Sequence, residues 1–310
     1  MVGIISCQMP LDKKKFIISG SYLEIMSPDR RAASIVFEEF KRLDRIFNAY
    51  NQQSEVSKLN RTHNKEITIS RDLIQLIKLS KELSILTNGT FDISHGRLYS
   101  FWKEIIKKGK IDKLPNKVEI EELKDKGGNR FIDINLKKST VLIKKKGLRL
   151  DFGAIAKGFM VDKAIEKLKQ NNINSALINF GGDIYCLGKN NNRPWVVGIN
   201  DYKKQGKTIK EERVINKAIV TSGNYEQFFD FNQRRLSHII NPISGYPVEN
   251  DVVSVTVIAA SCAKADALAT AFFVIGVKRT SKLLVKNNFK NKVEVFIITE
   301  DSGKREVYLF

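Results

Sequence analysis

A chain of 310 residues with 42% hydrophobic content can bury a sizeable core in one large or two smaller domains, which excludes a disordered or fibrous protein. Its 53 lysines and arginines against 34 acidic residues leave 53 − 34 = +19 charges, which favours an anionic partner such as a nucleotide, a nucleic acid or a lipid surface without choosing among them. Cys7, Cys186 and Cys262 are too widely spaced for a disulfide framework or a cysteine-type zinc site, and no stretch has the length of a transmembrane helix.

Much of the positive excess lies in lysine runs, Lys13-Lys14-Lys15, Lys107-Lys108 and Lys144-Lys145-Lys146, without the interleaved aromatics or arginines of a nucleic-acid platform. They read as a solvated face, and no nucleic acid is expected as a partner. Ile4-Ile5-Ser6-Cys7 has the small-residue-then-cysteine form of a lipoprotein cleavage site. If the natural start lies upstream, an extracytoplasmic, membrane-anchored bacterial lipoprotein with Cys7 as its lipid site is expected, and otherwise a cytoplasmic protein. Residues 1–15 read as a tail and 16–310 as the functional domain.

In chain order, Phe16 to Met26 alternates as a strand broken at Ser19-Gly20-Ser21. Residues 29–47 carry Ile35, Phe37, Phe40, Leu43, Ile46 and Phe47 at helical spacing. Tyr50 to Asn60 is polar and turn-rich, with Ser54-Glu55 able to begin a short helical turn. A second amphipathic helix is predicted over 72–86, ending at Thr87-Asn88-Gly89, where residues that tolerate positive φ can cap it. The next segment, Thr90-Phe91-Asp92, could stack on a ring and accept its hydrogen bonds, or could be a core phenylalanine with a capping aspartate. Residues 98–108 read as a core helix around Trp102, 107–126 as a charged, variable-looking stretch, and 131–134 with 140–144 as a hairpin.

Gly147 to Phe152 reads as a short strand ending near Asp151, with a bend at Gly153 and then Ile155, Phe159, Ala164, Ile165 and Leu168 at helical spacing. A helix starting just after Asp151 would aim unpaired N–H groups and its positive dipole end above the bend, with Lys157 close by, as a place for a phosphate. A strand-to-helix turn with a solvated lysine is the alternative, and neither a P-loop nor a G-x-G-x-x-G is present. Strands are then predicted at 184–188, 195–199 and 217–222, with a polar insertion over 201–213 and a small-polar turn from Thr221 to Glu226. His238 to Pro247 places a histidine before a Pro/Gly turn, and 252–259 is an apolar strand. Residues 261–276 read as a helix capped by Gly276. Asp266 and Thr270 share one face of it among small and apolar residues, a pair suited to a hard cation such as Mg²⁺, or else a dipole-facing aspartate and a threonine bonding back to its own helix. His238 could be a satisfied core histidine or a general base, since its ordinary pKa of about 6.5 suits proton transfer near neutrality.

Seven motifs now stand in order: Tyr50-(x)3-Ser-Glu-Val-Ser-Lys-Leu-Asn, Asn-Gly-Thr-Phe-Asp at 88–92, Asp-x-Gly-x-x-Ala-Lys-Gly-(x)3-Asp at 151–162, Asn-Phe-Gly-Gly-Asp at 179–183, Thr-Ser-Gly-Asn-Tyr at 221–225, His-Ile-Ile-Asn-Pro-(x)2-Gly at 238–245 and Ala-Asp-Ala-Leu-Ala-Thr at 265–270. Each is weak alone; together they resemble the ApbE-type FAD:protein FMN transferases over nearly the whole chain. The resemblance implies an α+β protein, a single compact ApbE-like (T-fold-like) unit of two interleaved mixed α/β lobes with FAD between them. It implies Mg²⁺-dependent transfer of FMN from the substrate FAD to a threonine or serine hydroxyl of an acceptor flavoprotein, releasing AMP. Such an acceptor would be a subunit of a membrane redox complex, of the sodium-pumping NADH:quinone oxidoreductase or Rnf type. By the same resemblance Ser19, Tyr50, Thr90, Phe91, Asp92, Asp151, Lys157, Gly181, Gly182, Asp183 and Ile240 would bind FAD. Ala154 (through its carbonyl), Asp266 and Thr270 would bind Mg²⁺, and His238 would be the base. Hydrolysis of FAD by the same site, or flavin binding without turnover, are the rival readings. The family carries Met-Gly-Thr where this chain has Ser19-Gly20-Ser21, and Asp where it has Asn241; neither departure removes a metal ligand.

Overall fold

The computed structural model describes residues 11–108, 113–201, 203, 208–224, 228–231, 234–289 and 292–310. Cys7 with its cleavage-site pattern, Tyr225 and Glu226 lie outside the described residues. The chain opens with a hairpin of β1 (Asp12–Ile18) and β2 (Ser21–Ser27). The predicted break is its turn, with Ser19 and Gly20 at φ 49° and 75°. Pairing reaches back to Asp12 opposite Ser27, into the segment expected to be tail, and Lys13 and Lys15 cross the pair to Glu24.

Helix α1 (Arg31–Phe47) buries Val36, Phe40, Leu43 and Phe47 along one stripe. Ser54 caps α2 (Glu55–Leu59), accepting the Ser57 N–H at 3.1 Å. After β3 (Glu66–Thr68), helix α3 (Arg71–Leu86) stops where Asn88 and Gly89 take positive φ. Next come α4 (Gly96–Ile106), α5 (Lys117–Asp125), β4 (Ile132–Asn135) and β5 (Thr140–Ile143). Helix α5 lies in the charged stretch to which no element was assigned; Ile120 is its one buried side chain, too narrow a stripe for periodicity to reveal. No strand forms over 147–152, where a single bridge joins Arg149 to His95. The Asn60 side chain holds Leu150 from both sides instead, donating to its carbonyl at 2.9 Å and accepting its N–H at 2.7 Å.

Helix α6 (Ala156–Gln170) begins five residues after Asp151, because the Asp151 carboxylate accepts the Gly153 N–H at 2.7 Å and shapes a turn first. The sheet strands β6 (Ala176–Phe180) and β7 (Asp183–Leu187) follow, then β8 (Trp195–Asn200), β9 (Thr208–Val214) and β10 (Lys217–Gly223). The predicted polar insertion thus contains β9, a largely exposed strand whose partner is β8. Strand β10 matches the predicted 217–222 and runs one residue further, taking Gly223 out of the expected turn. The chain ends with β11 (Phe228–Phe231), β12 (Arg234–Ser237), β13 (Val252–Ala259), α7 (Cys262–Lys286), β14 (Val293–Asp301) and β15 (Lys304–Leu309). Gly276 breaks α7 at φ 73°, ψ 177°, but helix resumes beyond it rather than ending there.

The fold is α+β. Eight strands form one antiparallel sheet in the order β1-β2-β6-β7-β10-β13-β14-β15. Helices α1, α6 and α7 cover one face. On the other, Trp195, Val197 and Ile199 of β8 pack on Leu177, Ile219, Ile258 and Phe296. With both faces covered, β13 is buried at every position and carries no alternation. Residues 48–150 form a second lobe between α1 and α6. A satellite core of Leu98, Trp102 and Ile120 takes Leu236 and Ile240 from late in the chain, so the lobes interleave.

Helices α6 and α7 touch at Gly158. A Cβ there would lie 2.5 Å from the Cys262 carbonyl oxygen and 2.8 Å from the Ala263 nitrogen, both backbone atoms that cannot swing aside. Gly158→Ala is therefore expected to cost about 1–3 kcal/mol, read as a melting temperature several degrees lower; an unchanged melting temperature would show that the helices are free to part.

Candidate active site

A cleft of about 590 Å³ lies at the β6–β7 turn, walled by α6 and α7, by loop 90–93 and turn 151–154, and by residues 197–200 of β8. At its floor, α6 contributes Lys157, β7 Asp183, and α7 Asp266 and Thr270. The Lys157 ammonium lies 2.8 Å from Asp183 Oδ1. Asp266 faces the same floor of the cleft as Asp183 and Lys157. Asp183 is 2% exposed and Asp266 4%, and Oδ2 of each has no hydrogen-bond partner among the described residues. Asp183 thus takes the ammonium, while Asp266 is buried nearby without an ion pair of its own among the described residues. Burial, and then the charge of Asp183, push the Asp266 carboxyl well above the usual carboxylate range against the pull of Lys157. Burial acts to lower the Lys157 pKa, but Asp183 and Asp266 outweigh it and hold the ammonium firmly charged.

An unpaired oxygen on each of two buried carboxylates is costly unless a cation arrives. Among the described residues, no group of three or more His, Cys, Asp or Glu side chains could hold a metal, so a cation here needs other oxygen donors. Two are at hand in the cleft wall: Thr270, whose Oγ1 is 3.3 Å from Ser222 Oγ, and the backbone at Ala154. This all-oxygen set suits Mg²⁺, which takes few protein carboxylates and completes its shell with substrate oxygens.

The start of α7 is fixed by an aspartate of α6. Asp162 accepts the Ser261 hydroxyl at 2.7 Å, the Cys262 N–H at 2.8 Å and the Ala263 N–H at 3.0 Å. Burial raises its pKa and these three donors oppose the rise. It positions α7, and hence Asp266 and Thr270, over Lys157. No site role was expected for Asp162, although an acid directly after Phe159-Met160-Val161 was a visible signal.

The opposite wall joins loop 90–93 to turn 151–154. Phe91 is buried in the main core while reaching the cleft, and Thr90 Oγ1 donates to the Thr87 carbonyl at 2.9 Å. Asp92 accepts the Ser94 N–H at 2.8 Å and its hydroxyl at 2.6 Å, so one of its oxygens is used locally. Tyr99 and Lys103, one turn apart on α4, were missed by sequence reasoning: the Tyr99 hydroxyl donates to the Asp92 carbonyl at 2.8 Å, and the Lys103 ammonium pairs with Asp151 at 2.8 Å. Gly181 and Gly182, at φ 57° and 94°, form the two-residue turn between β6 and β7. No atom comes within 4 Å of where a Gly182 side chain would start, which leaves this backbone open to a close ligand. His238, half-buried, and Ile240 complete the wall, together with Asn200 of β8, for which the sequence carried no signal.

Ser19 and Tyr50 lie elsewhere. Ser19 sits in the β1–β2 turn in a left-handed conformation that directs its hydroxyl to Asp44 of α1, and Ser21 lines the cleft instead. Tyr50 is 85% exposed and lines a neighbouring cavity, because the polar loop before α2 has no apolar contact to pull the ring inward.

The sequence profile of the ApbE family matches residues 17–297. The FAD:protein FMN transferase of Klebsiella pneumoniae (strain 342) is 30% identical over 267 residues, covering 85% of this chain and 82% of that protein. That of Haemophilus influenzae is 30% identical over 270 residues, covering 85% and 77%. Among solved structures, the ApbE protein from Thermotoga maritima superposes with a TM-score of 0.82 at 30% identity over 96% of each chain. The flavin transferase ApbE from Vibrio cholerae gives 0.82 at 25% identity over 97% of each.

The raised carboxyl pKa fixes the sign of a pH effect. Its folded value lies above the ordinary 3.8, so its contribution to stability is complete below that value and is lost as pH rises through the folded pKa. In metal-free buffer, Asp266→Asn is expected to melt above the parent at neutral pH, by a margin that grows with pH and vanishes near about pH 4. A margin independent of pH would contradict the buried-charge assignment.

Proposed function

This chain belongs to the ApbE family, and from that premise we infer that it transfers FMN from FAD to a threonine or serine hydroxyl of an acceptor flavoprotein, releasing AMP. The observation that carries the reading is the pair of buried carboxylates with orphaned oxygens beside Lys157, at the floor of a cleft wide enough for a nucleotide. Resemblance to the family supports an acceptor that is a subunit of a membrane redox complex, such as the sodium-pumping NADH:quinone oxidoreductase or Rnf type.

Asp266, Thr270 and the Ala154 carbonyl would hold Mg²⁺, which when bound neutralises pyrophosphate oxygens and orients them. The chain's own residues do the rest. Lys157 places a fixed positive charge at the floor, and the open backbone at Gly181-Gly182 lets the nucleotide lie close. Lys103, locked to Asp151, holds the turn that carries Ala154. His238 accepts the proton of the acceptor hydroxyl as its oxygen bonds to the FMN phosphorus. The bond from that phosphorus to the bridging oxygen breaks, and AMP leaves with the oxygen. Phosphoryl transfer of this kind depends on positioning and charge neutralisation more than on covalent participation by the protein.

Incubation with FAD, Mg²⁺ and an acceptor polypeptide should yield acceptor carrying covalent flavin fluorescence. His238→Ala should slow that labelling roughly 10²–10⁴-fold, the usual worth of a general base, with FAD affinity little changed. Free FMN and AMP without labelled acceptor would instead make the protein an FAD pyrophosphatase.

A further inference from the structure

A second cavity, of about 490 Å³, opens beside the cleft and is lined by Tyr50, Asn60, Arg61, Arg97 and Arg149, among others. The chain's basic residues are mostly lysine, yet every cation lining this cavity is an arginine, whose planar fork of donors matches a carboxylate in two places at once. Arg61 donates to the Gln52 carbonyl at 2.9 Å, and Arg97 Nε to the Gly147 carbonyl. No carboxylate forms an ion pair with any of the three among the described residues, and all three are exposed. The cleft cations differ: Lys157 is taken by Asp183 and Lys103 by Asp151.

Cavity and cleft meet along three residues. Asn60 holds Leu150 by two hydrogen bonds, and on either side of that fixed point Arg149 faces the cavity while Asp151 faces the cleft. Arg61, Arg97 and Arg149 line the cavity without a carboxylate partner among the described residues. FAD brings its phosphates to the cleft floor, whereas an acceptor polypeptide must bring flanking residues across the rim.

We propose that this arginine cavity docks an acidic segment of the acceptor polypeptide, next to the hydroxyl delivered into the cleft. The proposal rests on the transferase reading, but its test does not. The probe is a fluorescently labelled ten-residue oligoglutamate, its binding followed by anisotropy without FAD, while FAD affinity is measured separately. The variant Arg61→Gln/Arg97→Gln/Arg149→Gln is compared with Lys137→Gln/Lys138→Gln/Lys282→Gln, which removes equal charge from exposed sites outside both cavities. All these side chains are exposed, and melting curves check that both variants fold. Expected is a loss of peptide affinity of at least about tenfold in the arginine variant, little loss in the lysine variant, and FAD affinity unchanged in both. Equal loss in both variants would reduce the effect to net charge and overturn the proposal. So would an equal fall in FAD affinity, which would assign the cavity to the nucleotide, or a parent protein that does not bind the peptide. Failure of FMN transfer with peptide binding intact would count against the transferase reading alone.

Discussion

Where α6 crosses α7, two carboxylates and one ammonium are held in a buried volume, and the rest of the site takes its place from that crossing. The missing side chain at Gly158 lets the helices touch, and Asp162 receives the free end of α7. Remove the crossing and Lys157 loses its relation to Asp266, and Thr270 its relation to the turn at Ala154. Buried carboxylates so close together would ordinarily be neutralised by a proton. Burial and the charge of Asp183 favour a proton on Asp266, which a cation binding at the two orphaned oxygens would displace.

The eight-stranded sheet makes the crossing possible without taking part in it. Its central strands are covered on one face by the helices and on the other by the β8–β9 hairpin, so that the cleft opens only where the β6–β7 turn and the inserted lobe leave a gap. The +19 charge acts on a longer scale. Exposed lysines raise the local concentration of anionic substrate without selecting it, while the cations that face the cleft are each fixed by a carboxylate at 2.8 Å.

Helices with a wide apolar stripe, such as α1 and α3, and caps such as Ser54 were legible in the sequence because local periodicity and local chemistry decide them. Helix α5 and strands β3 and β9 were not, since each buries too little to leave a pattern and is held by its neighbours. The run at 147–152 looked like a strand because Leu148, Leu150 and Phe152 alternate with Arg149 and Asp151, yet its backbone partners include a side chain of Asn60 and one bridge. Within the cleft, Asp266, Thr270, Asp183 and Lys157 were readable from ordered motifs. Tyr99, Lys103 and Asn200 were not, because they enter from other elements whose approach no spacing encodes. Ser19 shows the converse: it stands in the motif position, and a turn conformation carries it away from the cleft.

Calorimetric titration of Mg²⁺ into the metal-free protein reads the cluster itself, since Asp183 and Asp266 each bury an oxygen without a partner among the described residues and burial holds the Asp266 proton more tightly than usual. One saturable site is expected, lost in Asp266→Asn, with proton release on binding that grows as the pH is lowered. Equal Mg²⁺ affinity in the parent and in Asp266→Asn would contradict it.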